Sequence, residues 1–123
     1  MELTDNLIVN KSFDFAKRIV NLNKHLALEK NEYILSRQIL KSGTSIGANI
    51  FEAQNAQSNA DFLSKMKIAL KEATETLYWL MLLHETDYIN ASAFESLKKD
   101  LNDIRNILGS ICKTTSDNIT TNV

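Results

Sequence analysis

Three glutamates are the first residues of this chain that could do chemistry. Glu72 and Glu75 lie one helical turn apart, and antiparallel packing of the preceding helix would bring Glu52 towards them. Paired carboxylates can perform acid–base catalysis when their pKa values are split. The sequence offers no nucleophile beside them, and Lys65 and Lys71 could neutralise them instead. We therefore predict that these glutamates are structural and that the chain has no catalytic residues.

Histidine and cysteine complete the set of residues that could bind a metal. A di-metal site in a helical bundle needs inward glutamates and Glu-x-x-His on two helices. The residues three before His25 and His84 are Leu22 and Met81, so that motif is missing. Cys112 has no histidine near it in sequence and lies beside the last apolar positions, which favours a packed thiol. The sequence therefore predicts no metal site and no cofactor.

Long amphipathic helices must position all of these side chains. The 123 residues contain no proline and only three glycines, and apolar residues recur at intervals of three and four in four segments. Four helices with short connections form a bundle of alternating direction. The predicted fold is all-α: an antiparallel up-down-up-down four-helix bundle over residues 1–113, followed by a flexible polar C-terminal tail over residues 114–123.

Each predicted helix starts at a residue that can cap it. Side-chain oxygens of Ser, Thr, Asp and Asn accept hydrogen bonds from the unpaired amides of the first turn. Ser58 and Ser92 are followed three residues later by Asp61 and Glu95, which is the pattern of a capping box. The predicted caps are, in chain order, Thr4 or Asp5, Asn31, Ser58 and Ser92.

A row of polar residues beside the apolar stripe of the second helix predicts a buried network. These residues flank the stripe instead of opposing it, so several should be at least half-buried. A buried hydroxyl or amide left unpaired costs about 1–3 kcal/mol, so partners are expected across the hairpin. The predicted network, which would fix the helix register, comprises Ser42, Ser45, Asn49, Glu52, Glu72 and Glu75.

The apolar face of the first helix is wider than one neighbouring helix needs. It can sit deep in the bundle, or contact one partner within the chain and another in a second subunit. The first helix carries two apolar rows side by side, one through Phe13 and Ala16 and the other through Phe15 and Ile19. Trp79 lies off the main core stripe of the third helix, where tryptophan either wedges between helices or anchors a subunit contact. The predicted oligomer interface comprises Phe15, Ile19, Ile68, Trp79 and Leu83.

Cationic side chains on the first two helices raise nucleic-acid binding as an alternative. Clustered cations bind phosphates by releasing counterions. The chain nevertheless has 15 acidic and 14 basic residues and a pI of about 6.1, which is not the balance of a strongly basic binder. A solvated helix face explains the same residues. The candidate nucleic-acid contacts are Lys11, Lys17, Arg18, Lys24, Arg37 and Lys41.

The sequence also bears on location. A single cysteine excludes an intramolecular disulfide and fits a reducing compartment. The first residues lack the basic region and apolar run of a signal peptide. No run of about 18 apolar residues could span a membrane. We therefore expect a cytoplasmic protein with no membrane partner.

The second and third helices carry the motifs of a known family. The stretch SGTSIGANIFEA, residues 42–53, resembles the S-x-x-S-I-x-x-N-I-x-E pattern of a bacterial four-helix-bundle family. Its members were first noticed in intervening sequences of 23S ribosomal RNA genes. The stretches SNADF (58–62) and IALKEATETLYWL (68–80) are similar to that family as well.

This resemblance, which covers about residues 6–111, implies both fold and assembly. Family members are antiparallel bundles that form ring-shaped homopentamers, with no family-wide catalytic activity, and the ribosomal label reflects gene location. A related branch is the accessory factor of diversity-generating retroelements, which binds a reverse transcriptase and nucleic acid through a strongly basic surface. This near-neutral chain departs from that branch. The predicted function is a non-enzymatic homo-oligomeric scaffold or adaptor, and the alternative is a nucleic-acid-binding accessory protein.

Overall fold

Four helices make up nearly all of the computed structural model, which describes residue 4 and residues 6–121. The helices are α1 (Leu7–Glu29), α2 (Leu35–Ala53), α3 (Asn59–Glu85) and α4 (Ala91–Thr121), and no strand occurs among the described residues. Each helix packs against the next one along the chain, and α4 packs back on α1, whereas the backbones of the diagonal pairs of described helices do not approach closely. Because each connection is five residues long, successive helices alternate in direction. The predicted four-helix bundle is confirmed.

A single apolar core fills the centre of the bundle, and every helix contributes to it. Phe15 of α1, Ile46 of α2, Leu80 of α3 and Leu101 of α4 are all essentially inaccessible to water. Burying a side chain of this size contributes about 1.5–3 kcal/mol. The spacing of three and four residues in the sequence therefore located the inward faces of α2, α3 and α4.

Two glycines allow α2 to approach α1 closely. A Cβ atom at Gly43 would lie 2.9 Å from side-chain carbons of Ile19, and one at Gly47 would lie 3.3 Å from the carbonyl oxygen of Ser12. Side chains at these two positions would push the helices apart. The close crossing fixes the width of the surface between α1 and α2, which is described below.

Capping agrees with the prediction at α3 and differs at α1. Ser58 caps α3 as expected, since its Oγ accepts a hydrogen bond of 3.0 Å from the amide of Asp61. At α1 the cap is Asn6, whose Oδ1 accepts from the amide two residues later at 3.1 Å. Thr4, a predicted cap, instead accepts from the amide of Asn6 at 2.8 Å. The other predicted cap, Asp5, lies outside the described residues.

The predicted caps of α2 and α4 are wrong. Asn31 adopts a positive φ of 53° within the connection, a conformation that asparagine tolerates better than most residues. Instead, the amide of Ser36 donates to a carboxylate oxygen of Glu32 at 2.8 Å. At α4 the capping side chain is Asn90, whose Oδ1 accepts from the amide three residues later at 2.8 Å, and Ser92 lies within the helix. Because asparagine caps as well as serine, the sequence alone could not choose between them.

The C-terminal segment is helical beyond the predicted boundary at residue 113. α4 continues to Thr121, so residues 114–121 are not a tail without helical structure. The ammonium of Lys113 lies 3.4 Å from a carboxylate oxygen of Asp117, one turn later. No proline or glycine follows Gly109, so nothing in the sequence ends the helix there. The prediction missed these residues because a polar helix that extends past the core lacks the apolar spacing by which helices are recognised.

Within residue 4 and residues 6–121, no helix combines the length and the apolar character needed to cross a bilayer.

Candidate functional site

The glutamates that could have done acid–base chemistry lie at the surface. Glu52 and Glu75 are exposed and Glu72 is half-buried. A carboxylate oxygen of Glu75 accepts from the indole nitrogen of Trp79 at 3.4 Å, which is a contact within α3. In the described part of the chain, no three His, Cys, Asp or Glu residues are grouped so that they could hold a metal ion.

The histidines and the cysteine make contacts that are structural in character. Nδ1 of His25 lies 2.8 Å from a carboxylate oxygen of Glu29, one turn later on α1. The ring of His84 stacks on that of Phe94, with 4.4 Å between centroids and 7° between planes. Cys112 is buried at the end of the core, and this burial raises the pKa of its thiol. The predicted packed thiol is confirmed by this burial.

The predicted buried polar network is wrong for most of its members. Ser45 donates to the carbonyl of Lys41 at 2.7 Å, and Asn49 donates to the carbonyl of Ser45 at 2.8 Å. Because both side chains find acceptors one turn earlier in their own helix, neither needs a partner across the hairpin. Among the six predicted members, only Ser42 is buried; Ser45, Asn49 and Glu72 are half-buried, and Glu52 and Glu75 are exposed.

A smaller polar contact takes the place of that network. The hydroxyl oxygens of Thr76 and Ser42 lie 2.9 Å apart across the interface of α3 and α2, and both residues are fully buried. The Thr76 hydroxyl also lies 2.8 Å from the carbonyl oxygen of Glu72. Sequence reasoning missed Thr76. It stands three residues after Ala73 and four before Leu80, so a polar residue on the core stripe was the available signal.

Three of the five predicted interface residues belong to the core of the monomer. Phe15, Ile19 and Leu83 are each at most 1% exposed, so their assignment to a subunit interface is wrong. The apolar row through Phe15 and Ile19 is buried inside the bundle, because α2 approaches α1 closely there. Ile68 remains 43% exposed, and Trp79 is half-buried on the outer side of α3.

The outer surface between α1 and α2 is an apolar groove of about 390 Å³. Phe51 is 53% exposed at its edge, and Gly47 forms part of its floor. The groove takes up the other apolar row of α1, which runs through Phe13 and Ala16. Apart from Thr44, the residues that line this α1/α2 groove are Val9, Phe13, Ala16, Gly47, Ala48 and Phe51.

Two of the six candidate nucleic-acid contacts belong to the α1/α4 face. Arg18 lies 2.6 Å from a carboxylate oxygen of Asp100 and also donates to the hydroxyl of Ser96 at 2.9 Å. Lys11 borders a depression that also includes Asp14 and Asp100. These two cations therefore face carboxylates.

The other four candidate contacts are exposed on the outer side of α1 and α2. Lys17 lies 3.0 Å from Asp14 and 5.3 Å from the centre of the Phe13 ring. Lys24 lies two turns after Lys17, on the same side of α1. On α2, Arg37 and Lys41 lie on the side that carries the groove residues, one to two turns before them. Because α1 and α2 are antiparallel, Lys24 and Arg37 lie towards the same end of the bundle. Beyond the residues that line it, the α1/α2 groove is continued along the two helices by the exposed cations Lys24, Arg37 and Lys41, which we refer to as its basic half.

Fold and surface together define an antiparallel four-helix bundle that keeps an amphipathic groove on one face. Residues 4–110 match the model of the 23S rRNA-intervening sequence protein family, and the chain belongs to that family. The resemblance seen in the sequence is therefore confirmed.

One solved structure extends the comparison. The crystal structure of a protein with unknown function from the S23 ribosomal protein family of Bacteroides thetaiotaomicron is 55% identical to this chain. The two superimpose with a TM-score of 0.86, and the match covers 87% of this chain and 99% of that one. A search among curated proteins finds no match.

Proposed function

We propose that this protein is a non-enzymatic homo-oligomeric scaffold or adaptor, in which bundles associate into a ring. The observation that carries the proposal is the α1/α2 groove, whose lining is almost wholly apolar while Phe51 at its edge stays more than half exposed. Apolar grooves are among the surfaces through which folded proteins bind partners. A pentamer, which the family resemblance implies, is the expected stoichiometry.

The shape of the groove suits close packing against another bundle. Among the residues that line it, Gly47 and Ala48 are small and leave room for a side chain of a partner, whereas Phe13 and Phe51 offer aromatic surface. Burial of apolar surface contributes about 25 cal/mol per Å², so covering the groove would favour association. Further apolar side chains are exposed on α3, namely Ile68, Tyr78 and Met81.

The proposal includes the absence of a catalytic role and a cytoplasmic location. Glu52 and Glu75 lie at the surface, without the burial on which catalytic carboxylate pairs depend. The buried thiol of Cys112 is protected from reaction by its raised pKa. A lone cysteine without a disulfide fits a reducing compartment.

Light scattering coupled to gel filtration tests the proposal directly. At micromolar concentration we expect a mass several times the 13.9 kDa of the chain. A species of 13.9 kDa over the accessible concentration range would overturn it. Genetic neighbours of the gene would then indicate which partners the scaffold serves.

A nucleic-acid-binding accessory role is the second candidate. It is favoured by the exposed cations Lys24, Arg37 and Lys41, which share one face and have no carboxylate within 4.0 Å among the described residues. Phosphate binding would weaken steeply as salt rises. Titration with labelled RNA and DNA at two salt concentrations is the test, with Lys41→Gln as the variant and Lys99→Gln on α4 as its control. Absence of binding at low salt would eliminate this role.

A further inference from the structure

A second exposed surface lies on α3, and its character is the reverse of the α1/α2 groove. Ile68, Glu72, Glu75 and Trp79 follow one another at intervals of four, three and four residues, so they form one row along the helix. We refer to these four residues as the α3 row. Glu72 and Trp79 flank Thr76, which contacts α2, and the row therefore runs beside the outer seam of α2 and α3.

The α3 row presents side chains to solvent, whereas the α1/α2 groove is a depression. Ile68 projects from the helix with 43% of its surface exposed. The indole of Trp79 is held by its hydrogen bond to Glu75 and by the Tyr78 ring, which meets it edge-on with 5.0 Å between centroids. A rigid aromatic side chain with neighbouring aliphatic area is typical of the anchor of an interface.

The charges of the two surfaces are complementary. Glu72 and Glu75 give the α3 row a negative character, and neither has a cation within 4.0 Å in the part of the chain described. Lys24, Arg37 and Lys41 give the basic half of the α1/α2 groove the opposite sign. Opposite potentials steer two surfaces together and fix their register.

The positions of the two surfaces favour a closed ring. They are different patches of one chain, so a contact between them is head-to-tail. They lie on neighbouring faces of the bundle that share α2, and such faces point roughly 90° apart. A head-to-tail contact that turns by about 90° closes after four copies, and one that turns by about 72° closes after five.

We propose that the α1/α2 groove of one copy receives the α3 row of the next copy. This inference rests on the proposed homo-oligomer and deepens it by naming the two surfaces that meet. Trp79 occupies the apolar half of the groove, while Glu75 and Glu72, which precede it along α3, face the basic half.

Two complementary single-site variants test the pairing. Ala48→Arg obstructs the groove and leaves the α3 row intact, whereas Ile68→Arg obstructs the row and leaves the groove intact. Both positions are exposed in helices, where arginine is well tolerated. Each variant alone should have the mass of a monomer, because every contact would then include one obstructed surface. Mixed in equal amounts, they should form a dimer and nothing larger, since a single intact contact remains.

The outcomes separate this inference from the proposed function. If the wild-type protein is an oligomer and either variant keeps its full mass, or if the mixture forms no dimer, the pairing of these two surfaces is wrong while self-association stands. A monomeric wild-type protein would overturn both. Asn106→Arg on the exposed side of α4 should keep the wild-type mass, and formation of the mixed dimer itself shows that both variants fold.

Discussion

The hydroxyl of Thr76 meets that of Ser42 at 2.9 Å across the interface of α2 and α3, with both residues fully buried. This contact joins the two long helices of the central hairpin at one defined register. A buried hydroxyl group destabilises the fold unless it is hydrogen-bonded, because nothing else compensates for its removal from water. The pair therefore penalises any sliding of α3 along α2.

Removal of one member of this pair should destabilise the fold. Thr76→Val keeps the shape of the side chain but leaves the Ser42 hydroxyl with only a long bond of 3.5 Å to the Ile39 carbonyl. The free energy of unfolding should fall by about 1–3 kcal/mol, as measured by urea denaturation. The double variant with Ser42→Ala should recover part of this loss. If the double variant loses the sum of what the two single variants lose, the two residues are not coupled.

The same substitution at two glycines should have opposite effects. Gly43→Ala places a methyl group 2.9 Å from carbons of the buried and stiff Ile19 side chain, and should lower stability by about 1–3 kcal/mol. Gly109→Ala meets nothing within 4 Å in α4 and should raise stability by about 0.5–1 kcal/mol through helix propensity. Thermal or urea unfolding of both variants measures the difference. A stabilised Gly43→Ala variant would mean that α1 and α2 can separate at little cost.

Salt should weaken assembly if charges contribute to the subunit contact. Screening reduces attraction between Glu72 and the cations of a neighbouring groove, whereas a purely apolar contact would be strengthened or unaffected by added salt. Glu72→Gln should therefore reduce both the affinity of assembly and its dependence on salt. Glu95→Gln, at an exposed position of α4, is the matched control. Sedimentation at several salt concentrations measures both quantities. If the two variants assemble alike, Glu72 is not part of the subunit contact.

The thiol of Cys112 should make stability fall at alkaline pH. Burial raises its pKa in the folded chain, so above the pKa of an unfolded thiol, about 8.5, the unfolded chain releases a proton that the folded chain retains. This contribution is present at neutral pH and is lost as pH rises through the folded pKa. Cys112→Ala should flatten the alkaline decline. Labelling with a thiol reagent at pH 8 should be slow in the native protein and fast in urea, and rapid native labelling would show the site to be open.

The number and order of the helices were determined by the sequence itself. Apolar intervals of three and four residues, such as Leu101, Ile104 and Leu108, are a local property that survives any rotation of the whole helix. All three of these residues are buried. The capping of α3 by Ser58 was equally local, because the bond spans only three residues.

Only the tertiary structure decided which of the two apolar rows of α1 faces inward. Rotation of a helix about its axis is set by the neighbour it packs against, and here Gly43 admits Ile19 so closely that the row of Phe15 is buried. The row of Phe13 is thereby left at the surface, where it borders the α1/α2 groove. Similarly, Asn49 was free to bond its own helix or a partner, and in the fold it donates to the Ser45 carbonyl of its own helix. Periodicity reports that a face is apolar, and contact between helices decides what covers it.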